Sequence, residues 1–391
     1  MTDSERPAKQ ASWEKLRAGL PVTAGLLVAL AGSAGFLVVP LVVAALRHNG
    51  VPELWTGLIG SADPAGMFIG AALALFRFVR AAPRKWALIA VTVALLANAG
   101  SLTLDAAALL LVLRLLSGTA GGIAMALGLA ALSHARFPDR SFALLTLTQM
   151  LFGALVASLG EGGAGGLGII YRCMFALQLV GLVAAALLAR TAVLPDAPVS
   201  GVPPRRLRPT LFGYTAAANF CAAAGFMLLW VSIPGAARAA GLPADATVLV
   251  FDVGLAGGCI GALITMIIGG QTRRGVIVAG LFALGLTGMA IIGLTDNMPL
   301  FLIGTFLLQF STAAAFYGFG AVSEADGTGR LPIVHMLAVK AGFGLAPMAA
   351  SLVLGSAGMA TVIAFAFIVN GVAALLYQML VRTAAAEAAQ G

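Results

Sequence analysis

Twelve apolar runs, each long enough to cross a bilayer, occupy the chain near residues 19–46, 55–77, 86–104, 105–132, 141–160, 167–190, 209–237, 245–270, 274–293, 298–322, 331–355 and 358–383. In lipid every backbone N–H and C=O must be paired within the protein, so a spanning segment is either a helix or a strand of a closed barrel. About 20 residues of helix cross the hydrocarbon, whereas a barrel strand takes about ten residues of alternating polarity. These runs are too long and do not alternate. They predict helices and exclude strands. Asp105 divides the nearly continuous stretch over 86–132 into two spans.

Composition agrees. Charged residues are 10% of the chain, hydrophobic ones 60%, and the mean hydropathy is +1.01. A soluble domain carries roughly 25% charged residues, so this chain cannot cover itself in water. Its 49 glycines suit helices that pack backbone against backbone in lipid. The polar start, residues 1–17, lacks the basic region, apolar stretch and cleavage site of a signal peptide, so the first run is expected to stay as a span. Cys173, Cys221 and Cys259 lie in apolar runs without CxxC or Cys/His spacing, which reads as packing rather than metal or disulfide chemistry. No Gly-x-x-x-x-Gly-Lys-Ser/Thr loop is present, so no nucleotide and no cofactor is expected. No Ser/His/Asp or Cys/His set marks an enzyme.

Charge sets the orientation. With the N-terminus inside, 18 of the 23 basic residues fall in the inner segments, while the outer ones hold only Arg47 and Arg238. That bias places both termini in the cytoplasm of a bacterial-type inner membrane. The net charge of +8 is then a topology signal and an attraction to anionic lipid. It is no nucleic-acid surface, because no soluble element presents a basic face.

The chain also repeats itself. Ala65-Gly66-Met67-Phe68-Ile69-Gly70-Ala71 returns 191 residues later as Ala256-Gly257-Gly258-Cys259-Ile260-Gly261-Ala262, five of seven identical. Phe152-Gly153 returns as Phe343-Gly344 at the same offset, and Leu127-Gly128 through Ser133 as Tyr317-Gly318 through Ser323. The long polar connector contains Pro195, Pro198, Pro203, Pro204, Arg205, Arg206 and Arg208 and splits the chain evenly. The expected layout is a tail over 1–18, a six-helix bundle over 19–190, a linker over 191–209, a second bundle over 210–383 and a tail over 384–391. Two copies of one bundle are the plan of a solute transporter.

Six plus six helices, a basic connector and inside termini resemble the major facilitator superfamily. Arg114-Leu115-Leu116-Ser117-Gly118-Thr119-Ala120-Gly121-Gly122 is similar to that family's Arg-x-x-x-Gly-x-x-x-Gly pattern, and Tyr171-Arg172 with Phe175 to its aromatic-Arg start of span six. The resemblance implies alternating access and a conformational loop after span two, here reduced to Arg80, Arg84 and Lys85 without the family's Asp. The matching loop after span eight holds Arg273 and Arg274. It also implies that span two packs on span eleven and span five on span eight, pairing Asp63 with Lys340 and Gln149 with Asp252. The Gly-Pro-rich pattern of drug/proton antiporters is missing from span five.

Ionisable groups inside a membrane are expensive and usually functional. Asp63, Arg114, Asp252 and Lys340 lie eight or nine residues from their span ends, roughly 13 Å deep. Gln149 is the counterpart of Lys340 in the other copy. Burial favours the neutral acid and a nearby cation the carboxylate, so Asp252 or Asp63 is the candidate proton carrier, against a static ion pair. Arg114 either binds a substrate anion or pins span four to its neighbours. Arg172, near a span end, reads as an interfacial anchor and His335 as an inner-interface residue. Gln309 joins the candidate site, and Asn219, Ser311, Thr312, Phe316 and Tyr317 are candidate cavity lining; Trp230 fits an aromatic belt. Pro40, Pro64 and Pro347 are candidate bends. The expected activity is secondary, proton-coupled transport of a small organic solute, an organic anion with or without an aromatic part, by a monomer in contact with lipid. Efflux of amphipathic toxic compounds is the alternative, and a transport-dead sensor or scaffold a further one.

Overall fold

The computed structural model describes residues 22–74, 82–103, 106–133, 135–160, 166–188, 209–230, 232–243, 246–269, 273–326 and 330–388. The described residues contain helices and no strand. In order these are α1 (Val22–Leu37), α2 (Val39–His48), α3 (Glu53–Leu73), α4 (Pro83–Ser101), α5 (Ala107–Leu132), α6 (Pro138–Gly160) and α7 (Gly166–Leu187). Then follow α8 (Pro209–Trp230), α9 (Ile233–Ala239), α10 (Ala246–Ile268), α11 (Arg274–Leu294), α12 (Met298–Phe310), α13 (Ala314–Ala325) and α14 (Arg330–Ala388). The connector up to residue 208, the tail over 1–18 and Arg80 lie outside the described residues.

Proline and glycine punctuate these helices. Pro83, Pro138 and Pro209 each open one, where the missing N–H would have no partner anyway. Asn297 caps α12 by accepting from the Leu300 N–H at 3.1 Å, and Asp326 accepts from the Leu331 N–H at 2.7 Å at the start of α14. The first expected span divides at Val38, two residues before Pro40, whereas Pro64 sits inside α3. α14 covers the last two expected spans and breaks at Gly358, whose φ of 78° suits glycine. The tenth expected span is interrupted by a 3-10 turn over Ser311–Ala313, where the Ser311 and Thr312 hydroxyls donate to the carbonyls of Leu308 and Gln309.

Six helices are long and apolar enough to cross a membrane, and three shorter apolar ones accompany them, among the described residues. Their outward faces are bare of polar cover. On α7, Leu179, Val180, Val183 and Leu187 are all exposed. Patches of that kind belong against lipid.

The chain divides into two compact units, one of residues 1–135 and 156–196, the other of 136–155 and 197–391. Residues 138–155 of α6, all but its last turn or so, therefore group with the C-terminal residues. Within the first unit α3 and α5 interlock through reciprocal glycines. A Cβ on Gly118 or Gly122 would strike the backbone of Asp63 or Met67, and one on Gly66 or Gly70 the backbone of Leu115 or Thr119. Within the second unit the repeated segment does the same work: Gly257 and Gly261 abut the carbonyls of Phe306 and Phe310 on α12. The repeat thus encodes one helix contact, made once in each unit. Gly122→Leu is expected to cost at least about 1–3 kcal/mol of stability. Gly280→Leu, on a face with open space, is the matched control and should change little in the same thermal unfolding measurement.

Candidate functional site

Arg114 is the hub of the first unit. It is fully buried and reaches three other helices. Its Nη2 donates to Asn98 Oδ1 at 2.7 Å, to Ser101 Oγ at 2.8 Å and to the Ala97 carbonyl at 3.4 Å, all on α4. Its Nη1 lies 3.6 Å from Asp63 Oδ2 on α3 and 3.8 Å from Met174 Sδ on α7. The guanidinium carbon stands 4.8 Å from the centre of the Tyr171 ring. Asp63 is itself 4% exposed, and Gly35 of α1 leaves the space its carboxylate fills, since an added Cβ would come within 2.6 Å of Oδ1. The guanidinium thus bridges α5 to α3, α4 and α7, while its Nε has no hydrogen-bond partner among the described residues. Asp63 accordingly meets its counter-ion on α5 of its own unit.

Asp252 stands in the opposite situation. It occupies the exposed stripe of α10 with Leu249, Ala256, Ile260 and Leu263, and makes no hydrogen bond or ion pair among the described residues. A carboxylate on an apolar helix is tolerable there only opposite water. Gln149 on α6 and Gln309 on α12 are half-buried and buried respectively. The Met150 Sδ accepts from Cys259 Sγ at 3.9 Å, so α6 and α10 touch at the residue next to Gln149. Lys340 on α14 is buried, with Nζ 5.9 Å from the centre of the Phe343 ring.

A charged knot ties α6, α11 and α13. Arg274 Nε and Nη2 donate to Asp139 Oδ2 at 3.0 and 2.9 Å, and Nη1 and Nη2 to Glu324 at 2.5 and 2.6 Å. Beside it Arg140 donates to the carbonyls of Ile267 and Gly269, both at 3.0 Å, closing the C-terminal end of α10. Gly320 gives Asp139 its room, because a Cβ there would overlap the carboxylate. Gly320→Ala and Asp139→Asn should therefore lower the thermal unfolding midpoint alike. The double variant should be no worse than either, as expected for groups acting as one unit. Of the other expected loop residues, Arg273 and Lys85 are exposed and Arg84 half-buried.

A cavity of about 90 Å³ opens inside the second unit, between α8, α11, α12, α13 and α14. Asn219, Ser311 and Thr312 are among the residues that line it. Phe316 and Tyr317 do not: they are buried in the core formed with Leu281, Phe282 and Tyr377. The 3-10 turn before them helps set which face of α13 points inward. His335 is also not interfacial. It is 1% exposed, edge-on to Phe142 and Phe319 with centroids 5.3 and 5.6 Å away. Sequence reasoning missed Asn98, Ser101 and Tyr171 around Arg114, Asp139 and Glu324 around Arg274, and Tyr377, whose hydroxyl donates to Asn219 Oδ1. Only Asp139, directly after a helix-opening proline, carried a local signal.

No family model matches the sequence, and no curated protein does. Solved structures do match its fold. The chain is similar to the human organic anion transporter MFSD10 (TETRAN), with a TM-score of 0.72, 18% identity, and 93% of this chain and 99% of that one covered. The E. coli fucose:proton symporter FucP follows at 0.70 and 14%, covering 94% and 98%. A bacterial homologue of the iron transporter ferroportin, in its outward-facing state, follows at 0.66 and 12%, covering 95% and 99%.

Proposed function

We propose that this chain, built on the fold that major facilitator transporters share, is a proton-coupled secondary transporter of a small organic solute. Twelve spans in two six-helix bundles work by alternating access in a bacterial-type inner membrane, with both termini cytoplasmic and the monomer as the working unit. The observation that carries this reading is Asp252: an exposed carboxylate, without a partner among the described residues, on an otherwise apolar helix. Such a group can take up and release a proton as water reaches it. The names of two structural neighbours, an organic anion transporter and a fucose:proton symporter, support an anionic solute and proton coupling respectively.

The other candidates take distinct parts. Asp63 and Arg114 hold the first bundle in shape. Gln149, Gln309 and Lys340 contribute to the solute path. Arg274, with Asp139 and Glu324, fastens the cytoplasmic ends of α6, α11 and α13 and releases them in the transport cycle, standing in for the thin loop of Arg80, Arg84 and Lys85. The test is uptake into proteoliposomes under an imposed pH gradient, across a panel of organic acids. Gradient-driven accumulation of at least one acid is expected; equal uptake with and without the gradient for every acid would remove the coupling claim.

A further inference from the structure

The cavity inside the second unit has a hydrogen-bonding character of its own. Five polar side chains reach it: Asn219, Ser311, Thr312, Asn370 and Tyr377. Each spends a donor on the protein. Asn219 Nδ2 donates to the Thr215 carbonyl at 2.7 Å and Asn370 Nδ2 to the Ala366 carbonyl at 3.0 Å. Ser311 and Thr312 donate to Leu308 and Gln309, both at 2.7 Å, and the Tyr377 hydroxyl to Asn219 Oδ1. What remains is five oxygens with lone pairs against one spare N–H on each of two amides. Asn219, Tyr377 and Asn370 are 0, 1 and 7% exposed, so three of the five acceptors are held away from bulk water, while Ser311 and Thr312 are half-buried.

The walls narrow the choice of occupant. Phe226, Phe282 and Phe343 supply aromatic faces, and among the described residues no carboxylate lines the cavity to balance a cation. Lys340 Nζ stands 5.9 Å from the Phe343 ring centre, behind that wall. With its hydroxyl donors already used, the cavity is equally poor for an anion. At about 90 Å³ it is smaller than the ~150 Å³ cavity that accepts benzene, so it holds about three to five heavy atoms.

We infer that this cavity is a binding site for a small uncharged organic molecule that donates hydrogen bonds through hydroxyl groups, such as a short diol. The site lies within one unit and does not depend on the transport reading.

Three probes of matched size test the class: 1,2-propanediol, propylammonium and propionate, added at equal concentration and ionic strength to the full-length protein in detergent micelles. The thermal unfolding midpoint is read for wild type, for Ala315→Leu, which fills the cavity, and for Ser311→Ala, which removes one acceptor. The diol is expected to raise the wild-type midpoint by a few degrees, with that rise lost in Ala315→Leu and reduced in Ser311→Ala. The charged probes should act alike on all three proteins. If Ala315→Leu does not fold, the comparison of wild type with Ser311→Ala decides. An equal rise in wild type and variants would mean a solvent effect on a cavity that holds only water, and protection by either charged probe would mean the wrong ligand class. Either result overturns the inference.

Discussion

Asp252→Asn is expected to abolish uphill solute accumulation while leaving solute exchange across the membrane intact. The reasoning starts from cost. A carboxylate at mid-membrane carries a penalty of about 2.5–3.5 kcal/mol even on the mildest insertion scale. Asp252 has no partner among the described residues and shares its face with Leu249, Ala256 and Ile260. Among the described residues of the second unit none uses the charge, which fits a part in the transport cycle. For one proton per monovalent organic anion, an electroneutral symport, a pH difference of one unit is worth 1.36 kcal/mol, or about tenfold accumulation. The asparagine variant carries no proton, so its accumulation ratio should fall to about one. Counterflow, which exchanges solute for solute, should persist, and Asp252→Glu should restore part of the uphill activity. A variant with full accumulation would move the proton elsewhere, with Asp63 the next candidate.

Arg114→Leu is expected to destabilise the protein by about 3–5 kcal/mol, because it strands Asp63 without its counter-ion in a water-free interior. The loss reaches further than one ion pair: three donations to α4 and the contact with the Tyr171 ring go with it. Replacing both Arg114 and Asp63 with leucine should recover part of that loss, since the buried charge is then removed with its partner. The readout is thermal unfolding in micelles, followed as a double-mutant cycle. A substrate-binding arginine behaves differently. Its removal would leave folding unchanged and weaken only solute affinity, and that pattern would contradict the role of pin.

Much of this was legible in the sequence for a physical reason: lipid leaves the backbone few choices. Run length and polarity predict the helices, and the prolines at 83, 138 and 209 mark where three of them start. The repeated Ala-Gly-x-x-Ile-Gly-Ala segment marks a helix contact that recurs in both units, because only small residues allow that approach. Depth within a run singled out Asp63, Arg114 and Lys340, which are buried, and Asp252, which is exposed. The pairing of Asp63 with Arg114 was hidden, although the spacing from Arg114 to Gly118, which meets the Asp63 backbone, is its trace in the sequence.

Other contacts left no such trace. Arg274 gathers carboxylates 135 and 50 residues away, and Asn219 meets a tyrosine 158 residues on. Nothing local distinguishes those partners from other polar residues at helix ends or on helix faces. Phe316 and Tyr317, read as candidate lining, lie instead in the core of the second unit for a related reason. Span ten is rich in aromatic and hydroxyl side chains, and the 3-10 turn at Ser311–Ala313 changes the helical phase just before them. Periodicity alone could not say which face turns inward.

The most direct test of the account loads a pH-sensitive dye inside proteoliposomes and records internal pH as each organic acid, at equal pH on both sides, is added outside. The account predicts internal acidification that saturates with at least one acid, requires the protein, and vanishes in Asp252→Asn while counterflow of the same acid continues. Saturable solute entry with no accompanying proton movement, or acidification unchanged in Asp252→Asn, would contradict it.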